Sequence, residues 1–167
     1  MNDVKSKAQI ADSPSSTWPT GIHRQLDLIQ RGQLDRFVVR LKSGALVMGE
    51  TQPLIGYCLL LADPVVPHFN ALTQEARAQW ALDLGAIGDA LLEESGILRV
   101  NYETWGNLDP ALHTHIVPRS KFEDAEKGRL PAREAYDYAK SPRFDLKNVE
   151  HRNLLERLRA RLRHLAV

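Results

Sequence analysis

Residues 106–119 read Gly106-Asn107-Leu108-Asp109-Pro110-Ala111-Leu112-His113-Thr114-His115-Ile116-Val117-Pro118-Arg119. Gly106, Asn107, Asp109 and Pro110 are loop formers, and they lead into a run, 111–117, that reads as a strand closed by Pro118. Side chains along a strand alternate between faces. Ala111, His113, His115 and Val117 therefore share one face, and Leu112, Thr114 and Ile116 the other. The His113 and His115 imidazoles become neighbours, with Cα atoms roughly 6.5–7 Å apart. Such a pair can contribute to a metal site, although two ligands fall short of a closed one. It can grip a phosphate, or one ring can attack phosphorus while the other stabilises charge or handles a proton. It can also be simply a pair of half-buried strand histidines.

Upstream, 36–41 (RFVVRL) and 45–49 (ALVMG) flank Lys42-Ser43-Gly44 and read as a hairpin. Tyr57 to Leu61 is a short apolar run between turn residues, expected as a buried central strand that Pro64 and Pro67 close. A long helix follows. Thr73 can cap it, Glu75 suits the positive end of its dipole, and Gly96 can end it. Ala76, Trp80, Leu84, Ile87 and Leu91 form its apolar stripe, which makes Trp80 a core residue. Residues 98–102 (LRVNY) read as another strand. Strands joined by tight turns around one helix favour an antiparallel sheet with helices packed on it, an α+β fold.

The stretch from Val100-Asn101 through Gly106 to Arg119 resembles the histidine-triad superfamily, whose signature alternates three histidines with apolar residues and often ends in Pro-Arg. The similarity covers about residues 34–120: hairpin, strand, long helix and two strands ending in the motif. It implies a five-stranded antiparallel sheet with one long helix, usually paired into a homodimer, here with a C-terminal helical extension. Counted back from Pro118-Arg119, His115 matches the third triad histidine and His113 the middle one, the family's nucleophile. The first falls on Ala111, as in a bacterial-type branch in which that position is replaced. Asn101 matches a polar residue near the phosphates. Asn107 lies in the phosphate-contacting loop, where Leu108 replaces a Ser/Thr donor. Glu50 is the candidate for the ribose-binding position. Arg119 reads as the start of the exit loop.

The resemblance implies a nucleotide hydrolase or nucleotidyl transferase. His113 would attack the α-phosphorus of a nucleotide ester, anhydride or phosphoramidate, giving a nucleotidyl-histidine that water then cleaves. His115 would bind a non-bridging oxygen or transfer a proton. A neutral imidazole, with an ordinary pKa of about 6.5, is a competent nucleophile for that step. Because of Ala111 and Leu108, a nucleotide-binding protein with little or no turnover is the alternative. A third reading is an interaction domain whose tail helix matters most. The expected ligand is a nucleotide or dinucleotide, with neither metal nor cofactor.

The rest of the 167 residues frames that site. Residues 1–20 read as a flexible arm without the apolar core of a secretory leader, 21–120 as the nucleotide-binding domain, and 121–167 as an extension packed on it. In the extension, 120–147 is polar and irregular with a break at Pro131. Leu154, Leu155, Leu158, Leu162 and Leu165 then mark an amphipathic helix docked on the domain with its arginines solvated. A formal net charge of +1 gives no global field to attract nucleic acid or an anionic membrane, so an anionic ligand must be held by a local site. No run reaches the roughly 20 apolar residues of a membrane helix. The single cysteine, Cys58, reads as a buried filler and suits a reducing cytoplasm. His23, His68, His151 and His164 are dispersed and read as structural.

Overall fold

The first described element is a helix for which the apolar spacing of Ile22, Leu26 and Ile29 supplies the packing face. It is α1 (Gly21–Gln30), and Thr20 caps it by accepting from the His23 N–H. The structure, a computed structural model, describes residues 19–167. The arm expected over 1–20 therefore lies, up to residue 18, outside the described residues, and its last residue is a helix cap. β1 (Phe37–Leu41) and β2 (Gly44–Met48) form the expected hairpin, with Leu41 facing Gly44 across Lys42 and Ser43. β3 (Cys58–Ala62) follows, then α2 (Gln74–Leu92), β4 (Ile97–Glu103) and β5 (His113–Ser120). The extension holds the short α3 (Ala132–Ala135) and the longer α4 (Val149–Leu162).

The five strands pair antiparallel throughout in the order β1-β2-β3-β5-β4. This is the expected α+β architecture, with β3 at its centre. Each face of the sheet is covered, which is why β2 is buried at all five positions and reads as a continuous apolar run. On one face, Leu46, Leu60 and Ile116 pack under Trp80, Ile87 and Leu91 of α2 and under Leu154, Leu155 and Leu158 of α4. The other face carries Val47, Leu61 and Ala111 against Ile22 of α1, and Tyr57 and Val117 against Ala132 of α3. The two histidines lie on this second face.

α2 starts where the sequence indicates, since the Thr73 hydroxyl accepts from the Ala76 N–H. It ends at Leu92, and Gly96, at φ +86°, turns the chain into β4. β5 does not end at Pro118. Its ladder with β3 stops at Cys58–Ile116, so Pro118 is flanked by β4 alone, a position that tolerates a residue without an N–H.

α4 docks through Leu154, Leu155, Leu158 and Leu162, as its spacing indicates. Its arginines are only partly solvated, contrary to the sequence reading. Arg157 binds Glu94 (2.6 Å). Arg161 pairs with Glu93 (2.7 Å) and Glu94 while donating to the Ala90 carbonyl (3.0 Å), one of the carbonyls left without a helical partner at the end of α2. Arg159 donates to the Phe37 carbonyl. The polar face is thus a set of staples across α2 and β1. Among the described residues, no helix is long and apolar enough to cross a membrane.

Candidate functional site

The register of β5 assembles the site. Residues directly opposite in an antiparallel ladder point to the same face. His115 faces Leu59 on one side and Glu103 on the other, Val117 faces Asn101, and His113 faces Leu61. One face therefore brings together His113, His115, Asn101 and Glu103, as the strand phase predicts for the two histidines. They line a cavity of about 710 Å³, together with Asn107 from the preceding loop and Arg133 from α3. Asn101 is half-buried and Asn107 exposed. Leu108 is 96 % exposed and brings no donor.

The two imidazoles are buried and meet edge to face, with ring centroids 4.9 Å apart. His113 Nδ1 lies 2.8 Å from the Ala111 carbonyl. A carbonyl only accepts, so Nδ1 carries the hydrogen, and Nε2 of the neutral ring keeps a free lone pair. The lock on His113 comes from the backbone of residue 111 and does not depend on its side chain. That side chain is fully buried among Ile22, Val47 and Leu61. α1 occupies the space into which a larger residue at 111 would have to extend.

His115 has both ring nitrogens occupied. Arg133 Nη2 is 3.1 Å from Nε2, and the Tyr57 hydroxyl is 2.5 Å from Nδ1. A guanidinium only donates, so Nε2 accepts, and Nδ1–H donates to the Tyr57 oxygen. Tyr57 also stacks on the imidazole with the planes 6° apart. Burial, helped by the Arg133 charge and by His113, pushes the His115 pKa down to about 3. At neutral pH His115 is a fixed, uncharged hydrogen-bonding group and not a reservoir of protons.

Neighbouring groups hold the loop and the extension against this face. Asp109 Oδ2 accepts the Ile22 N–H at the start of α1 (3.1 Å), and a Cβ at Gly21 would sit 2.7 Å from that oxygen. A side chain at residue 21 would push that carboxylate aside. Arg119 does more than begin a loop. Its side chain is 2 % exposed, it forks onto Glu123, and it donates to the carbonyls of Leu130 and Lys127 (both 2.9 Å). Tyr136 completes the cluster by donating to Glu123.

Glu50 is not brought to the histidines. It stands at the end of β2 in a separate groove, exposed and ion-paired with Arg143. The extension lies alongside it, with Gln52 N–H donating to the Pro142 carbonyl and Phe144 N–H to the Glu50 carbonyl. Three residues of the site were not singled out from sequence. Tyr57 lies two positions before Leu59 and Glu103 two after Asn101, so strand alternation could have placed both on this face. Arg133 offered no such signal. Among the other histidines, His151 is buried, stacked on Phe144, and accepts the Asp145 N–H.

No protein-family model and no curated protein matches the chain. Solved structures do. A histidine triad protein from Bradyrhizobium japonicum aligns at a TM-score of 0.63 and 20 % identity, covering 79 % of this chain and 93 % of that one. One from Marinobacter aquaeolei aligns at 0.65 and 16 %, covering 88 % and 98 %. A hypothetical histidine triad nucleotide-binding protein from Sulfolobus tokodaii aligns at 0.53 and 15 %, covering 83 % and 91 %. At such identities the likeness is one of architecture, and it bears out the resemblance read from the motif: the chain has the fold of the histidine triad proteins.

Proposed function

We propose that this protein binds a nucleotide or dinucleotide and acts on its α-phosphate through His113, as a nucleotide hydrolase or nucleotidyl transferase. The observation that carries the reading is the bond from His113 Nδ1 to the Ala111 carbonyl, which in the neutral ring gives Nε2 the free lone pair, at the wall of a cavity large enough for a nucleotide. The Nε2 lone pair attacks phosphorus, forming a phosphorus–nitrogen bond. The bond to the leaving group breaks, and that group departs with the electron pair and takes up a proton. Water then attacks the same phosphorus, the pair returns to Nε2, and the proton of the water passes to solvent. His115 stays neutral and contributes hydrogen bonding. Asn101 and Asn107 serve the phosphates, and Glu50 has no part in the site.

Binding without efficient turnover is the second reading. It is favoured by Leu108, whose exposed side chain offers no donor at the cavity. A homodimer formed through β4 suits an edge strand that leaves Leu98 and Tyr102 exposed. A cytoplasmic setting suits a single, buried cysteine.

The test uses an AMP ester with a good leaving group, an alkaline denaturing quench and peptide mass spectrometry. The nucleotidyl adduct is expected on His113, acid-labile and base-stable, and absent in His113→Ala, which keeps the fold. An adduct on His115 would shift the register by one strand period. Wild-type turnover by His113→Ala would sink the mechanism. Tight AMP binding with no adduct and no turnover would select the second reading.

A further inference from the structure

Among the described residues Arg133 is a cation without a counter-ion, in a site where the Leu108 side chain brings no donor. Its residue projects from α3, immediately after Ala132, which is fully buried against Tyr57 and Val117. The guanidinium lies over the Tyr138 ring, 5.1 Å from its centroid, and spends one N–H on His115 Nε2. Among the described residues its other N–H groups have no hydrogen-bond partner. Neither Glu103 nor Glu134, both on the same cavity wall, comes within ion-pair distance of it. A neutral imidazole nitrogen is a weak acceptor for a guanidinium compared with an oxyanion, whose geometry matches the guanidinium fork. The chain as a whole carries almost no net charge, so anion affinity has to come from groups such as this one.

We propose that Arg133 is a phosphate ligand of this cavity, and that it supplies from the extension a charged donor in place of the one that the Leu108 side chain lacks. The fork grips the non-bridging oxygens of a phosphate group, while the Tyr138 ring and His115 hold the guanidinium in place. The ligand class is a nucleoside phosphate, distinguished from the free nucleoside by this contact. Only the statement that the gripped phosphate is the one offered to His113 rests on the proposed function. The anion contact itself does not.

The experiment is calorimetric titration of the full chain with AMP, adenosine and inorganic phosphate, for wild type, Arg133→Gln, Arg133→Lys and His113→Ala. Arg133→Gln should weaken AMP on the order of tenfold or more, the weight of a charge-assisted hydrogen bond. It should leave adenosine unchanged and abolish any phosphate heat. Arg133→Lys should fall between, because a point charge lacks the fork. The ring-nitrogen chemical shifts of His115 should move in Arg133→Gln, reporting the lost donor, with the melting temperature retained. Unchanged AMP affinity in Arg133→Gln overturns the proposal, and so does wild-type protein that binds neither AMP nor phosphate. AMP binding that depends on Arg133, with turnover indifferent to His113→Ala, leaves this proposal standing and removes the catalytic one.

Discussion

Replacing Arg119 by methionine tests how the extension is held over the histidine face. The arginine side chain is 2 % exposed and the Glu123 side chain 5 %, so the pair is almost wholly withdrawn from water. Hydrogen bonding holds Glu123 charged: burial pushes its pKa up, but the bonds from Arg119, Tyr136 and the Ser120 N–H outweigh this and leave it below the usual carboxylate value. Arg119→Met removes three N–H contacts to the carboxylate and two to backbone carbonyls. Breaking a buried pair on one side costs about 3–5 kcal/mol, because the other charge remains without compensation. Here the Tyr136 hydroxyl and the Ser120 N–H still face Glu123, each at 2.9 Å, which places the cost near the lower end, at about 3 kcal/mol. Against a domain stability of roughly 5–15 kcal/mol, urea unfolding followed by tryptophan fluorescence resolves such a loss. Arg119→Met/Glu123→Leu should recover most of it, since removing both charges is nearly neutral in a buried site. A single-variant cost below about 1 kcal/mol, or a double variant no better than the single, would refute the claim that this ion pair fixes the segment.

Ala111→His, at the position that the motif aligns with the first triad histidine, should cost about 1–3 kcal/mol of stability and bring no gain in rate, because α1 fills the space beside residue 111; a faster protein with an unchanged melting temperature would contradict this. His115 is neutral in the folded chain down to about pH 3, whereas an unfolded imidazole binds a proton near pH 6.5. The unfolded state therefore holds more protons between these values. The contribution of His115 is complete above about pH 6.5 and is lost as the pH falls, by up to ~1.4 kcal/mol per unit; unfolding free energies measured from pH 7 to 5 should show a flatter profile in His115→Asn. Truncation after Lys147 exposes the partners of Leu154, Leu155, Leu158 and Leu162. At roughly 1.5–3 kcal/mol per leucine, the shortened chain should lose cooperative unfolding, and an unaltered melt would mean that α4 is merely apposed.

Local patterns carry much of this molecule. The alternation in 111–117 puts both histidines on one face because one face of the sheet is covered by α2 and α4 and the other by α1 and α3, so register is strongly constrained. The stripe on α2 was legible for the same reason, at helical period. α1 is legible in principle from Ile22, Leu26 and Ile29, but its short apolar face adjoins the polar arm and carries no motif. Glu50 was read at the right end of the right strand. What captures it is Arg143, 93 residues further along, and no local pattern reports a pairing of that span. Arg133 belongs to the same class. Its partner on His115 is 18 residues away across an irregular segment, and the contact depends on the path of that segment.

That path is specified by several independent contacts, which is why an arginine on a four-residue helix can hold a defined position. Arg119 and Glu123 close the turn that leaves β5, and their bonds reach forward to Leu130. Ala132 is buried on the sheet one residue before Arg133. Beyond it, Pro142 and Phe144 bond to the backbone of Gln52 and Glu50, and α4 then crosses to the opposite face. The chain between these anchors needs no regular structure of its own, because each end is fixed to the sheet that also carries His113. A histidine at residue 111 would lie just before β5, in the space that Ile22 of α1 fills together with Val47 and Leu61. A donor delivered from across the cavity meets no such obstruction, and its charge can reach the phosphate without disturbing the backbone carbonyl that orients His113.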